Sequence, residues 1–248
     1  MSTKGDTERQ AILRDRLIER GIGIHIGRYI SRILPHLKPG SKLCDIGCGT
    51  AHIVAKLTEH CRDPSLIGLD TSQAMLRVAA ERSANSQNVI LVRGDGLRLP
   101  FRNETFDIVI TRLAEYSPLE AFRVLRNGGC FFEYGLGPEA NKEIAEFFPD
   151  RIEEENFFFP RHPTDWKMEV CDEILDAGFS VERVEDHTDI EIYESTSELM
   201  DLIEMVPLVQ DFDRNRDRKR IDDLKQRYGT KTGIPITWHY YIVEAMRK

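Results

Sequence analysis

The sequence contains no run of about 18 apolar residues, so nothing in it reads as a membrane-spanning helix. The first ten residues are polar and hold no apolar signal core, which predicts a cytoplasmic chain. Cysteine is sparse: Cys44, Cys48, Cys61, Cys130 and Cys171 form an odd, scattered set of five. Cys44 and Cys48 straddle a glycine turn without a matching second pair, so the thiols read as core filler in a reduced compartment and no metal is expected. Basic charge is short as well. The 34 Lys and Arg against 42 acids leave a net charge of -8, which excludes a protein coating nucleic acid through a global positive field, though not one with a local basic surface. Repeats and low-complexity linkers are lacking too. What is present is ordinary globular composition, 41% apolar and 31% charged over 248 residues, enough for one large core.

The first 38 residues read as helix and entry segment, with Ala11, Ile12, Leu17 and Ile18 set among charges at helical spacing. Three glycines in Arg20-Gly-Ile-Gly-Ile-His-Ile-Gly-Arg28 interrupt the pattern. Each costs about 1 kcal/mol against alanine inside a helix, so the segment is either a lid over a ligand or a static connector. Helical periodicity resumes over 29–37. Strands at 43–46, 66–69, 89–92, 106–111 and 130–134 then alternate with helices at 50–59, 73–83 and 118–126. For the last helix Ser117 is the N-cap, Pro118 opens the first turn, Glu120 closes a capping box and Gly128 follows the end. Alternation of this kind specifies a parallel sheet with helices on both faces.

Past residue 136 the rhythm breaks. A helix over 165–177 stops at Gly178 and feeds a long strand, 180–193; Ser195 and Glu198 box the start of another helix, halted by Pro207. A charged stretch, 211–227, whose run 213–220 alternates in sign like an exposed, salt-bridged face, precedes a strand at 236–245. The last two strands lack a helical crossover of the usual length, which predicts an antiparallel final strand. The expected fold is α/β: a Rossmann-like, seven-stranded, mostly parallel sheet in a single domain. Its parts are an N-terminal helical cap (1–38), a cofactor-binding core (39–136), the rest of the sheet with an active-site loop (137–193), a helical cap insertion (194–235) and the last strand (236–248). Such a sheet binds its ligand at the carboxyl ends of the strands. The N-terminal helices, the loop 135–164 and the insertion 194–235 should roof that edge.

Leu43-Cys-Asp-Ile-Gly-Cys-Gly-Thr50 carries the sharpest signal. A strand ends in an acid, and Gly47 and Gly49 let the backbone turn tightly into a helix and approach a ligand. A dinucleotide site would place a third glycine at position 52, where His52 stands, so a pyrophosphate reader is disfavoured. Asp45 beside the turn repels phosphate and suits a cation.

These residues resemble the class I S-adenosylmethionine-dependent methyltransferases over about 38–136. Asp45-Ile-Gly-Cys-Gly49 is similar to the family's glycine motif, and Leu66-Ile-Gly-Leu-Asp70 to its second strand, whose terminal acid binds the ribose hydroxyls. Arg93-Gly-Asp-Gly-Leu-Arg-Leu-Pro-Phe101 resembles the third block, where an acid accepts from the adenine amino group. Phe106-Asp-Ile-Val-Ile110 and Val124-Leu-Arg-Asn-Gly-Gly129 resemble the fourth strand and the turn before the fifth. The resemblance implies S-adenosyl-L-methionine as cofactor, with Asp45, Gly47, Gly49, Asp70, Thr71, Asp95, Gly96 and Arg112 as its binding set. A helix-capping role for Asp70, before Thr71-Ser72, stays open beside it. Three acids closing successive strands at one sheet edge agree with this, because ribose hydroxyls, an ammonium and an adenine edge require acids and amides.

The family has no universal catalytic residue, so none is carried over. The segment 111–118 after the fourth strand sits where acceptors lie and lacks the Asn/Asp-Pro-Pro-Tyr motif of base and glutamine amino-group methylases. Four catalytic candidates are weighed against plain structural roles. Glu115 is a base or amine anchor, or a solvated helix entry. Tyr116 presses its ring toward the methyl group, or packs. Glu133, expected with Tyr134 to face the cleft, is an acceptor anchor or pairs with an arginine. His162, within Phe157-Phe-Phe-Pro-Arg-His-Pro163, is a base in an aromatic acceptor wall, or part of cap packing. Arg112 meets a carboxylated substrate or neutralises nearby acids, and His239 is structural. Glu133-Tyr-Gly-Leu-Gly-Pro138 also resembles the ribosomal RNA guanine-N1 methyltransferases, whose four-cysteine zinc module has no counterpart here. Three readings follow: methyl transfer to an enclosed small molecule; methyl transfer to RNA, resting on eight basic against four acidic side chains in residues 1–38; and a non-catalytic cofactor-binding partner subunit.

Overall fold

The computed structural model describes residues 8–19, 26–60, 65–152, 166–206 and 208–248. The expectations for the glycines at 21 and 23, for Cys61 and for His162 and its aromatic run lie outside them.

The sheet has seven strands: β1 Lys42–Ile46, β2 Ser65–Asp70, β3 Val89–Arg93, β4 Phe106–Arg112, β5 Leu125–Leu136, β6 Ser180–Tyr193 and β7 Ile234–Met246. Their order is β3-β2-β1-β4-β5-β7-β6. The first five pair in parallel, and β7 inserts antiparallel between β5 and β6. The final strand is antiparallel to its neighbours, and the helices between residues 194 and 235 pack in a separate core instead of forming a crossover against the sheet.

Helices α1 Glu8–Glu19, α2 Ile26–Ile33, α3 His52–Thr58, α4 Gln73–Arg82, α5 Pro118–Val124, α6 Lys142–Phe147, α7 Trp166–Asp176, α8 Thr196–Met205 and α9 Arg218–Tyr228 surround the sheet. Strand side chains alternate between faces, so the sheet builds two cores. Leu43, Ile108, Ile110, Phe132, Tyr134 and Trp238 pack on one face with α2 and α3. Cys44, Ile46, Val109, Phe131, Tyr241 and Val243 pack on the other with α5 and α7. A third core joins Leu17 of α1 to Leu199, Leu202 and Ile203 of α8 and Ile221 of α9, forming a helical cap over one end of the sheet.

Two local expectations are corrected. Helix α5 ends at Val124, two residues early, because Leu125 is already extended (φ -73°, ψ 147°) and pairs with Phe106 across the sheet. Both capping boxes are used on one side only. Ser117 Oγ accepts from Glu120 N at 3.3 Å, but the Glu120 carboxylate turns to Leu99 N and Arg123. Ser195 Oγ accepts from Glu198 N at 3.2 Å, while the Glu198 carboxylate reaches Glu194 N, one residue before the cap. The charged stretch is salt-bridged as expected: Arg214, ahead of α9, pairs with Asp201 at 2.8 Å and Glu204 at 3.1 Å, and Arg218 in the first turn of α9 pairs with Asp222 at 3.3 Å.

Candidate active site

The glycine turn is built by backbone bonds from β2. Gly47 N and Cys48 N donate to Leu69 O at 2.8 and 3.0 Å, and Gly49 N donates to Asp70 Oδ2 at 2.8 Å. Gly47 and Gly49 hold left-handed backbone (φ 71° and 54°), which a side chain would oppose. Their close neighbours are protein. A Cβ on Gly47 would stand 2.1 Å from Ala114 Cβ, and one on Gly96 would stand 2.4 Å from Glu115 O. The segment after β4 thus lies tight against two of the three loop blocks. Helix α1 lies over the turn, since a Cβ on Gly49 would meet Arg14 Nη1 at 3.1 Å. Arg82 of α4 ties the arrangement together by donating to Thr50 O at 3.0 Å and pairing with Asp15 of α1.

A partly open cavity runs from this turn to the cap. Its sheet side carries Asp45, Gly47, Gly49, Thr50 and Arg112; its roof carries Leu17, Leu202, Met205, Val206 and Leu208. Asp45 is 2% exposed, and burial together with the Asp70 charge pushes its carboxyl up to about 8, with Arg112 opposing. The same burial pushes the Cys44 and Cys48 thiols up, away from the thiolate that metals and electrophiles need. Arg112 lies 5.0 Å from the Tyr134 ring centroid. The Thr50 hydroxyl is buried at the cavity with no hydrogen-bond partner among the described residues, a cost that a ligand would remove. A cation-accepting acid, an arginine, turn amides and an orphaned hydroxyl on one wall suit a ligand with ammonium, sulfonium and carboxylate groups.

The structure brings Asp45, Gly47, Gly49 and Arg112 together on this cavity and sets Asp70 directly behind the turn. Thr71, Asp95 and Gly96 lie outside the cavity lining. Thr71 O accepts from Arg93 Nε at 3.2 Å, and Asp95, exposed two residues beyond β3, closes a local turn by accepting from Leu97 N at 2.9 Å. Glu115 is exposed. Glu133 is corrected, and Tyr116 takes its packing alternative. Consecutive strand residues point to opposite faces, so Tyr134 faces the cavity side and Glu133 the other. There Glu133 accepts from the Tyr116 hydroxyl at 2.6 Å and the Tyr241 hydroxyl at 2.9 Å, with no arginine among the described residues paired to it. Burial raises its carboxyl against those two bonds. Tyr116 packs against the core on that face, 5.5 Å from Phe131 between ring centroids. His239 accepts from Glu139 N at 3.0 Å and pairs with Asp186 at 2.6 Å, a structural role. Sequence reading missed Thr50, Arg14, Asn141, Glu191, Tyr193 and Trp238 on the cavity. For Glu191 the sequence signal runs the opposite way: the alternation Ile190-Glu191-Ile192 reads with the isoleucines inward, whereas Ile190 and Ile192 are exposed and Glu191 and Tyr193 are buried.

Residues 43–129 match the family described as Methyltransferase domain. A demethylmenaquinone methyltransferase of Staphylococcus carnosus is 39% identical over 102 residues, 38% of this chain and 42% of that protein. A phthiotriol/phenolphthiotriol dimycocerosates methyltransferase of Mycobacterium ulcerans is 32% identical over 134 residues, 51% of this chain and 48% of that protein. The chain thus spans about half the length of the curated relatives it matches. Among solved structures, a candidate methyltransferase of Bacillus halodurans superposes with TM-score 0.63 at 19% identity, covering 89% of this chain and 99% of that one. The candidate methyltransferase bound to the Trm112 methyltransferase activator of Haloferax volcanii superposes with TM-score 0.62 at 17% identity, covering 99% of both chains. At these identities the structural likeness establishes the fold.

Proposed function

We propose that this member of the class I S-adenosylmethionine-dependent methyltransferase family transfers a methyl group to a small, largely apolar acceptor enclosed beneath its cap. The observation that carries the reading is the single cavity joining the glycine turn and Asp45 to the apolar wall of α1 and α8. S-adenosylmethionine, when bound, supplies a methyl group on a sulfonium, an electrophile with a good leaving group. The protein's part is then positioning and exclusion of water. Asp45 and the turn amides would hold the amino-acid end, with Arg112 and the Thr50 hydroxyl beside them. Asp70 and Asp95 would serve the ribose and the adenine edge, with Thr71 and Gly96 shaping the loops beneath. The cap of α1 and α8 covers part of the cavity.

Small-molecule acceptors in the names of the two curated relatives support this reading, as does the fate of the basic N-terminus. Arg9, Arg16, Arg28 and Arg32 pair with Glu204, Asp201, Asp189 and Glu185 of the same chain, so they are spent on the cap and the sheet edge rather than offered to RNA. Among the described residues no helix is long and apolar enough to cross a membrane, and we place the protein in the cytoplasm. A protein partner is a second reading, favoured by the end-to-end likeness to the Haloferax chain held by its activator. Incubation with methyl-labelled cofactor and fractionated lysate tests the proposal. Label is expected in an organic-extractable, low-mass fraction. Label in RNA, or cofactor binding without label in any fraction, would overturn it.

A further inference from the structure

The chain leaves β4 under strain. Leu113, the residue after the strand, lines the cavity and holds left-handed backbone (φ 51°), which its side chain opposes. A leucine stays in that conformation only where its surroundings leave it no other. Leu113 N donates to Tyr134 O at 3.0 Å, and four residues on Ser117 N donates to Gly96 O at 3.2 Å. Between those two bonds the segment passes both loop blocks. Ala114 occupies the space that a Cβ on Gly47 would need, and the Glu115 carbonyl occupies that of Gly96.

The segment has one further anchor, on the face of the sheet opposite the cavity. The Tyr116 hydroxyl donates to Glu133 Oε2 at 2.6 Å, while the Tyr241 hydroxyl of β7 donates to Oε1 of the same carboxylate at 2.9 Å. Packing beside Phe131 asks only for a ring at position 116, which phenylalanine would supply. The hydroxyl adds direction. A short bond to a strand residue fixes where the ring stands, and with it the backbone of 113–117.

We infer that Tyr116 is a positioning residue: its bond to Glu133 holds the strained segment 113–117 as a spacer between the Gly47 turn and the Gly96 loop. The inference rests on the cofactor-site reading, in which those two blocks serve the amino-acid end and the adenine end of one molecule. It deepens that reading by naming what sets their separation. A ligand that spans two subsites gains from both only where their spacing is fixed in advance. Without the Tyr116 bond, Leu113 is released toward an unstrained conformation and Ala114 comes away from Gly47. Small displacements of this kind are costly where reacting groups must be aligned.

The test compares Tyr116→Phe with Tyr241→Phe in the full chain. Each removes one hydroxyl from the same carboxylate and keeps its ring, but only Tyr116 belongs to the segment. Two probes are read by calorimetry: adenosylhomocysteine, which spans both blocks, and adenosine, which reaches one. Tyr116→Phe should weaken adenosylhomocysteine about tenfold and adenosine by less than about threefold. Tyr241→Phe should change either affinity by less than about threefold. Hydrogen exchange supplies a second readout, since the Leu113 and Ser117 amides should exchange faster in Tyr116→Phe and at the wild-type rate in Tyr241→Phe. Equal effects of the two variants on adenosylhomocysteine, or a loss of adenosine as large as that of adenosylhomocysteine, would overturn this inference alone. Failure of the wild-type chain to bind adenosylhomocysteine would instead overturn the cofactor-site reading.

Discussion

Asp70 does two jobs with two oxygens: Oδ2 accepts from Gly49 N and Oδ1 accepts from Ser72 N, both at 2.8 Å. One carboxylate thereby fixes the glycine turn and the entry to α4, where Ser72 caps Met75 N at 3.2 Å. Ribose binding and helix entry need not compete, because each oxygen keeps a second lone pair. Asp70→Ala should therefore act twice. It orphans two backbone donors, lowering unfolding free energy by about 1–3 kcal/mol in urea titrations. It should also weaken adenosylhomocysteine by more than tenfold in calorimetry, consistent with about 2–4 kcal/mol for two bonds to a charged group. An unchanged affinity in a destabilised variant would leave Asp70 with the turn alone. The glycines teach a related point. Gly47 reads as room for a ligand, yet its missing Cβ makes room for Ala114, so its requirement comes from the fold before it comes from any cofactor.

At the scale of elements, helix starts were legible because their caps act locally. Ser72, Ser117 and Ser195 each accept from the N–H three residues on. The strands were legible as short apolar runs between turns, and the site's β1 to β4 half as acids and glycines at strand ends. The face a strand residue takes was not legible at Glu133, because a one-residue shift reverses it and no neighbouring pattern marks the phase. The cap was legible as two segments, 1–38 and 194–235, expected to roof one edge, but not which residues of α1 and α8 meet, because contacts between segments so far apart leave no local pattern. That packing makes a prediction about what holds it. Leu17 of α1 is 2% exposed in the cap core, whereas Arg16 beside it makes an ion pair to Asp201 at 2.6 Å with its own side chain 54% exposed. Leu17→Ala should cost about 2–4 kcal/mol, since a cavity opens in a packed core. Arg16→Ala should cost less than about 1 kcal/mol, because an exposed pair is screened by water. Urea midpoints of the two variants decide it, and a larger loss in Arg16→Ala would make the cap electrostatic.

For the molecule as a whole, the buried acids pull stability in opposite directions with pH. Asp217 caps the cap: Arg151 donates to it at 3.0 Å, and its carboxyl is lowered to about 2 by hydrogen bonds from Arg151 and the Asp213 amide that outweigh burial. A depressed acid contributes stability above its unfolded value near 3.9 and loses it as pH falls through about 2, here on the order of 2 kcal/mol. Asp45 runs the other way. With its carboxyl raised to about 8, the folded state binds the proton more tightly, so its contribution is full below about pH 4 and is lost as pH rises toward 8. The slope is at most about 1.4 kcal/mol per pH unit. Burial raises Glu133 in the same direction. Thermal melting of the free protein should therefore peak near pH 4–5 and decline toward pH 8. A ligand cation beside Asp45 favours the carboxylate and removes its share of that decline. At pH 7 adenosylhomocysteine, whose ammonium is that cation, should release close to one proton on binding, read as a dependence of the calorimetric enthalpy on buffer ionisation. The bound protein should melt with a flatter alkaline limb. In Asp45→Asn both the proton release and the ligand's flattening of the limb should vanish. A wild-type enthalpy independent of buffer would mean that the bound cation does not face Asp45 and that the glycine turn holds the ligand the other way round.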